Sequence, residues 1–220
     1  MKYNYNEIIR YINNNQSDLA SKILNESILK NKNLDPLELI KIAIELLKVG
    51  DYQTSLKALL KSIEINPKHY TAYTNIGVIY FKFKNDLNKA IDYFKKSVEI
   101  NSKNEIALYN LGCCFGELNL IKDSIYYFEK TLNINPDHVN ARFNLALKQL
   151  IKNNFKEGWQ NYEARKKTVN VNNYKFPNEK DFGIPENLVW RGKKNCSKIF
   201  VHSEQGIGDE ILISSLYKDL

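Results

Sequence analysis

Tyr70–Asn104, YTAYTNIGVIYFKFKNDLNKAIDYFKKSVEINSKN, and the stretch after it, Glu105–His138, EIALYNLGCCFGELNLIKDSIYYFEKTLNINPDH, carry one pattern twice. Each has a small residue eighth from its start, Gly77 and Gly112, and another where a second helix begins to pack, Ala90 and Ser124. Seven residues further on come Ser97 and Thr131. Glycine inside a helix costs about 1 kcal/mol against alanine. A chain that keeps it there twice is making room for a neighbour, so these positions predict where the first helix of each unit crosses the second. Large side chains hold the other register. Tyr73 and Leu108 stand at position 4, Tyr80 and Phe115 at position 11, and Phe94 and Phe128 fall on the second helix.

The pattern extends in both directions. Pro67 and Pro136 close INP triplets 69 positions apart, and INS ending at Ser102 marks the boundary between them. Units at 36–69, 70–104, 105–138 and 139 onward then align, with Ala43 and Ala146 joining the two glycines at position 8. Ser55 and Gly158 join the small residues of the second helix, as Ser62 does seven positions later. Leu39, Leu46, Leu59 and Tyr162 fill the large positions. The unit 70–104 has one extra residue, in KNDLNKA, which falls in the turn between its helices. Residues 1–34 read as a degenerate first unit with a weak first helix, keeping Ala20, Leu24 and Ser27 in register. At the other end FKEGWQNYEARKK places Phe155, Trp159 and Tyr162 on one side and closes the array.

A helix with one apolar stripe cannot bury it alone, whereas stacked units close a continuous core. The period and its internal positions resemble the tetratricopeptide repeat over roughly residues 1–165. That resemblance implies a mainly α chain: a right-handed superhelix of about five helix–turn–helix repeats, the first degenerate and the last a capping pair. Its concave groove is lined by the first helix of each repeat. Position 6 of that helix is Lys41, Asn75, Asn110 and Asn144 in successive units. A carboxamide both donates and accepts, so a ladder of asparagines fits the backbone of an extended peptide without reading its side chains. In this the chain is similar to the repeats of O-linked N-acetylglucosamine transferase. A simpler role for the same asparagines is to bond a neighbouring helix.

Bulk composition excludes several classes. Hydrophobic residues at 43% and charged residues at 26% describe an ordinary packed protein. No apolar run approaches the ~18 residues of a membrane span, and the polar start MKYNYNEIIRYINNN has no signal-peptide core. Cys113, Cys114 and Cys196 have no metal-ligand spacing, and their odd number suits a reducing, cytoplasmic setting. Cys113 and Cys114 read as packing residues; neither a metal nor a cofactor is expected. The net charge of +7 is mostly lysine, spread thinly over the repeats and concentrated in 166–198. Arginine clusters with interleaved aromatics, the usual mark of nucleic-acid binding, are missing from it, so a peptide or protein partner is expected rather than nucleic acid. His69 and His138 follow the repeat-closing prolines and read as exposed positions between units.

From Lys166 to Ser197 the helical pattern fails; Pro177, Gly183 and Pro185 punctuate a basic linker, in which Trp190 of LVWRG marks an ordered contact. KIFVH then reads as a strand, SEQGIGDE as a glycine loop and EILISSLYKDL as an amphipathic helix, one βα unit over 198–220. A dinucleotide fingerprint fails here, because Ile211 stands where the third glycine belongs. Asp209 also stands where a pyrophosphate would rest. At ~4 Å and an effective dielectric of ~20 it repels a phosphate charge by about 4 kcal/mol, against the ~0.3–1 kcal/mol that a helix N-terminus returns. A carboxylate beside two glycines suits a general base on a sugar hydroxyl or a plain helix N-cap; His202, Ser203 and Glu204 read as structural.

GWxxYExR at Gly158–Arg165, WxG at Trp190–Gly192 and HSEQGIGDEIL at His202–Leu212 resemble bacterial tetratricopeptide glycosyltransferases with a heptosyltransferase-like, GT-B catalytic region. The resemblance implies that Gly206 and Gly208 form the acceptor-side substrate loop, that Asp209 is a possible general base, and that a nucleotide-sugar binds in a second lobe. One strand and one helix make no such lobe, so the chain by itself is not expected to catalyse transfer. The alternative is a standalone repeat scaffold without enzymatic activity.

Overall fold

Ten helices follow one another in the described residues, 5–30 and 34–164 of the computed structural model. The expected linker at 166–197 and the strand–loop–helix at 198–220 lie outside them. The helices are α1 (Tyr5–Asn13), α2 (Ser17–Lys30), α3 (Pro36–Lys48), α4 (Tyr52–Ile65) and α5 (Tyr70–Lys82). They continue as α6 (Leu87–Ile100), α7 (Glu105–Glu117), α8 (Ile121–Ile134), α9 (Val139–Ile151) and α10 (Phe155–Tyr162). All regular structure among the described residues is helical, paired as α1/α2 through α9/α10. Each pair is one repeat of the predicted register.

The turns inside the pairs show why the chain folds back where it does. Asn15, Gly50, Asn85, Asn119 and Asn153 all have φ between 51° and 86°, the left-handed region. Asparagine and glycine tolerate it best, since other side chains crowd the following carbonyl. In four of the five turns the next N–H returns to the carbonyl five residues back: Gln16 to Tyr11, Asp51 to Leu46, Leu120 to Phe115, and Asn154 to Gln149. This bond closes the helix end. In α5/α6 the bond runs six residues back, from Asp86 N–H to the Tyr80 carbonyl at 2.9 Å. The extra residue of that unit is absorbed there as one wider loop of chain. The first repeat starts with a shorter helix, α1 of 9 residues against 13 in α3, α5, α7 and α9. Its α1 was expected to be weak, yet Ile8 and Ile12 are buried along one side.

The turns between pairs explain the INP and INS triplets. Asn66, Asn101 and Asn135 each follow the last turn of a second helix in extended conformation. Each side-chain oxygen accepts the N–H two residues on, from Lys68, Lys103 and Asp137. The next helix starts four residues after the asparagine.

Within a pair, the small positions are where the helices cross. A Cβ on Gly77 would lie 2.6 Å from the Phe94 ring, and one on Gly112 would lie 2.6 Å from the Phe128 ring. The serines at the second helix's small position bond across the crossing: Ser55 Oγ donates to the Ala43 carbonyl at 2.9 Å and Ser124 Oγ to the Gly112 carbonyl at 2.7 Å. The core runs through the stack, with Leu39, Leu46, Leu59, Phe94, Leu108 and Phe128 fully buried. On the closing helix Phe155 and Trp159 are 55% and 47% exposed, while Tyr162 packs on Phe143 of α9 with ring centroids 5.5 Å apart.

Successive first helices touch: α3 packs on α5, α5 on α7, and α7 on α9. The second helices α4, α6, α8 and α10 do not pack on one another to that extent. The first-helix row is therefore the tighter, inner side of the array.

Candidate functional site

Helical geometry puts positions 6, 9 and 13 on one stripe of the first helix, opposite the stripe at 4, 8 and 11 that meets the second helix. Position 6 is the predicted ladder, and the inner row carries it as Lys41, Asn75, Asn110 and Asn144. Position 9 is apolar and half-buried in all four units, and position 13 is exposed as Lys48, Lys82, Glu117 and Ile151.

The three asparagines are held in two ways. Asn75 Nδ2 donates to the Thr71 carbonyl and Asn110 Nδ2 to the Ile106 carbonyl, each at 2.8 Å and four residues back on its own helix. The partner is a carbonyl oxygen, so nitrogen must be the atom that faces it and Oδ1 must point the other way. Asn144 instead bonds across the repeat seam. Its Nδ2 lies 3.2 Å from Tyr109 Oη and 3.9 Å from Cys113 Sγ. Among the described residues none of the three Oδ1 atoms has a hydrogen-bond partner. Lys41 does not share this arrangement; its Nζ lies 5.9 Å from the centroid of the Tyr5 ring.

Around Asn144 burial sets the protonation states. Tyr109 titrates far above the ordinary phenol range, because burial and then the neighbouring Cys113 disfavour its anion. The Cys113 thiol is likewise pushed up, first by burial. Cys114 is buried and pushed up to about 12 by burial and by Cys113. Both are free thiols that stay protonated, which suits packing and not nucleophilic chemistry.

One sequence expectation is corrected here. His138 is not an idle exposed residue: its side chain is 18% exposed, and it caps α9 by accepting the Ala141 N–H on Nδ1 at 3.1 Å. His69, at the matching place, caps nothing and pairs with Asn66 Nδ2 through Nε2 at 3.1 Å. Asn104 is the third residue of this kind, and reading single positions missed its role. It is buried, and its Nδ2 donates to both Thr74 Oγ1 and Ser97 Oγ at 2.7 Å, tying one repeat to the next.

The remaining candidates, Gly206, Gly208 and Asp209, lie outside the described residues. Among the described residues no three His, Cys, Asp or Glu side chains gather as a metal would require. None of their helices is long and apolar enough to cross a membrane.

Residues 70–104 and 106–138 match the family model described as tetratricopeptide repeat. Those two units are tetratricopeptide repeats. Solved structures of MamA share the array. A crystal structure of MamA superposes with a TM-score of 0.65 at 18% identity, covering 74% of this chain and 94% of that one. Residues 41 to the end of MamA from Desulfovibrio magneticus RS-1 superpose with a TM-score of 0.61 at 22% identity, covering 76% and 96%. At such identities the likeness is one of fold. No curated protein matches the chain. The tetratricopeptide match falls on the two units whose position 8 is glycine and whose second helix carries phenylalanine.

Proposed function

We propose that the tetratricopeptide array is a protein-interaction scaffold that holds an extended segment of its partner along the inner row, with Asn75, Asn110 and Asn144 bonding the segment's main chain. The observation that supports this is the shared state of their side chains: nitrogen engaged inside the array, oxygen without a partner among the described residues. Asn110 is only 8% exposed. A buried acceptor left unpaired costs about 1–3 kcal/mol, a cost that an incoming peptide N–H removes. The stripe is mildly basic, with Lys41, Lys48 and Lys82 against Glu117, and Lys48 pairs with Glu45 at 2.7 Å. The asparagines grip main chain, and extended concave surfaces of this kind serve repeat arrays in that way.

The test is selection of a displayed random-peptide library on the full chain and on the triple variant Asn75→Ala, Asn110→Ala, Asn144→Ala. With about 0.5–1.5 kcal/mol lost per hydrogen bond, selected peptides bind the triple variant at least about tenfold more weakly while its far-UV circular dichroism stays that of the folded parent. Peptides that bind both equally would remove the ladder from the reading.

A second reading concerns a longer parent protein. The stretches at 158–165, 190–192 and 202–212 favour a glycosyltransferase in which Gly206 and Gly208 admit the acceptor, Asp209 is the general base, and a nucleotide-sugar is the donor. It expects a reading frame that continues past Leu220 for about a domain's length, roughly 200 residues. In that protein Asp209→Asn abolishes sugar transfer without lowering the melting temperature; unchanged turnover excludes Asp209 as base.

A further inference from the structure

Charge and apolar surface are divided along the inner row. Position 2 lies one turn before position 6 on the same stripe, so each first helix offers positions 2, 6, 9 and 13. On α3 and α5 these supply Lys41, Lys48 and Lys82, and no acid. Lys48 is partnered by Glu45, three residues back on its own helix. Lys41 and Lys82 are exposed, and among the described residues neither is in an ion pair. On α7 and α9 the same positions supply one charge, Glu117, and Lys148 of α9 stands against it. That lysine reaches back over α7, where its Nζ would lie 3.2 Å from a Cβ on Gly116, the residue before Glu117. What this half exposes instead is aliphatic: Ile106 at position 2 and Ile151 at position 13, each 60% exposed. The α3–α5 half has one comparable residue, Leu37, 50% exposed.

We propose that the inner row takes a two-part segment, with acidic side chains where it crosses α3 and α5 and aliphatic ones where it crosses α7 and α9. This rests on the reading that an extended segment of a partner lies along the row. Packed helices stand about 8–10 Å apart and an extended residue spans about 3.3 Å. The four first helices therefore take a segment of about nine residues, roughly half of it over each part. Asn75, Asn110 and Asn144 run through both halves and leave the choice of side chain to the flanking positions. An exposed lysine–carboxylate pair adds little affinity by itself. Its larger effect is to fix the register of the segment and to exclude one with the opposite charge.

The experiment takes peptides selected from a displayed random library on the full chain and measures their affinity for two double variants, all four substituted residues being exposed. Selected peptides carry Asp or Glu in one half and Leu, Ile or Val in the other, and their binding weakens as salt rises from about 50 mM to about 500 mM. Lys41→Glu with Lys82→Glu weakens them at least about tenfold, and peptides with the acidic residues replaced by lysine prefer that variant to the parent. Ile106→Ser with Ile151→Ser weakens them about tenfold while the salt dependence stays that of the parent. Peptides without an acidic half, or equal binding to the lysine variant, overturn the two-part segment. If such peptides still lose affinity when the three asparagines are changed to alanine, the ladder stands and only the two-part segment falls. A loss in the lysine variant without one in the asparagine variant removes the ladder and keeps the two-part segment. A library that yields no binder to the parent overturns both.

Discussion

The units 36–69 and 70–104 build the same crossing from different residues. In the first, Ala43 on α3 and Leu59 on α4 hold the equivalent positions; in the second, Gly77 on α5 faces Phe94 on α6. The larger ring on one helix is matched by the missing methyl on the other, and both pairs are fully buried. The distance between helices is what the repeat maintains, and volume is traded across it. The first repeat has Ile8 at position 8, and its two helices meet less extensively than those of the later pairs.

The largest effect should come from breaking that trade. Gly77→Ala drives a methyl into the Phe94 ring at 2.6 Å, and overpacking of this kind costs about 1–3 kcal/mol. Adding Phe94→Leu to it copies the Ala43/Leu59 crossing and should restore most of the loss in a urea titration. If the double variant is less stable than Gly77→Ala alone, the volume trade is wrong. Next is the tie between repeats, which the unit 36–69 lacks in this form. Asn104→Leu removes the bonds to Thr74 and Ser97 and the cap on the Ala107 N–H, and should cost about 1–3 kcal/mol; a melting temperature equal to the parent's would show the network to be idle.

The turns give a smaller effect. Asn119→Ala puts a β-carbon without a local hydrogen bond at φ 58° and should cost about 1 kcal/mol, whereas Gly50→Asn copies the other four turns and should change little. The smallest is a matter of pH. Asp51 caps α4, accepting from Thr54 N–H at 2.9 Å and from Ser21 of α2. Burial alone would raise its carboxyl, but bonds from Ser21 and Thr54 outweigh that and hold it below the ordinary carboxylate value of 3.8. A lowered folded-state value stabilises the fold above that ordinary value, and the gain is lost as pH falls through the folded value. Asp51→Asn keeps a cap that cannot titrate, so its melting temperature should fall less steeply below about pH 4.

Much of this array was legible because its signals are periodic. Spacing of small and large residues located every helix crossing, and Gly77 and Gly112 identified the tight ones before any contact was known. The extra residue in KNDLNKA was assigned to its turn for the same reason. The left-handed asparagines at 15, 85, 119 and 153 were just as periodic, and aligning that column of the repeats would have found them. The site was less legible. Asn75, Asn110 and Asn144 were marked as a row, but sequence could not say which atom of each amide remained available. That depends on whether an i−4 carbonyl or a tyrosine of the neighbouring repeat lies within 3.2 Å.

His138 is the sharpest case of the same division. Its place after the repeat-closing proline made it look like a match for His69, since a one-dimensional pattern treats equal positions as equal. The fold gives His69 an asparagine and His138 a helix end, a glutamate and a tyrosine ring. Repeat spacing settles backbone path because helix pitch and turn sterics act over a few neighbouring residues. The chemistry of a side chain depends on groups about thirty positions away, as Asn144 does on Tyr109 and His138 on Glu105, and only the stacking of the repeats brings those together.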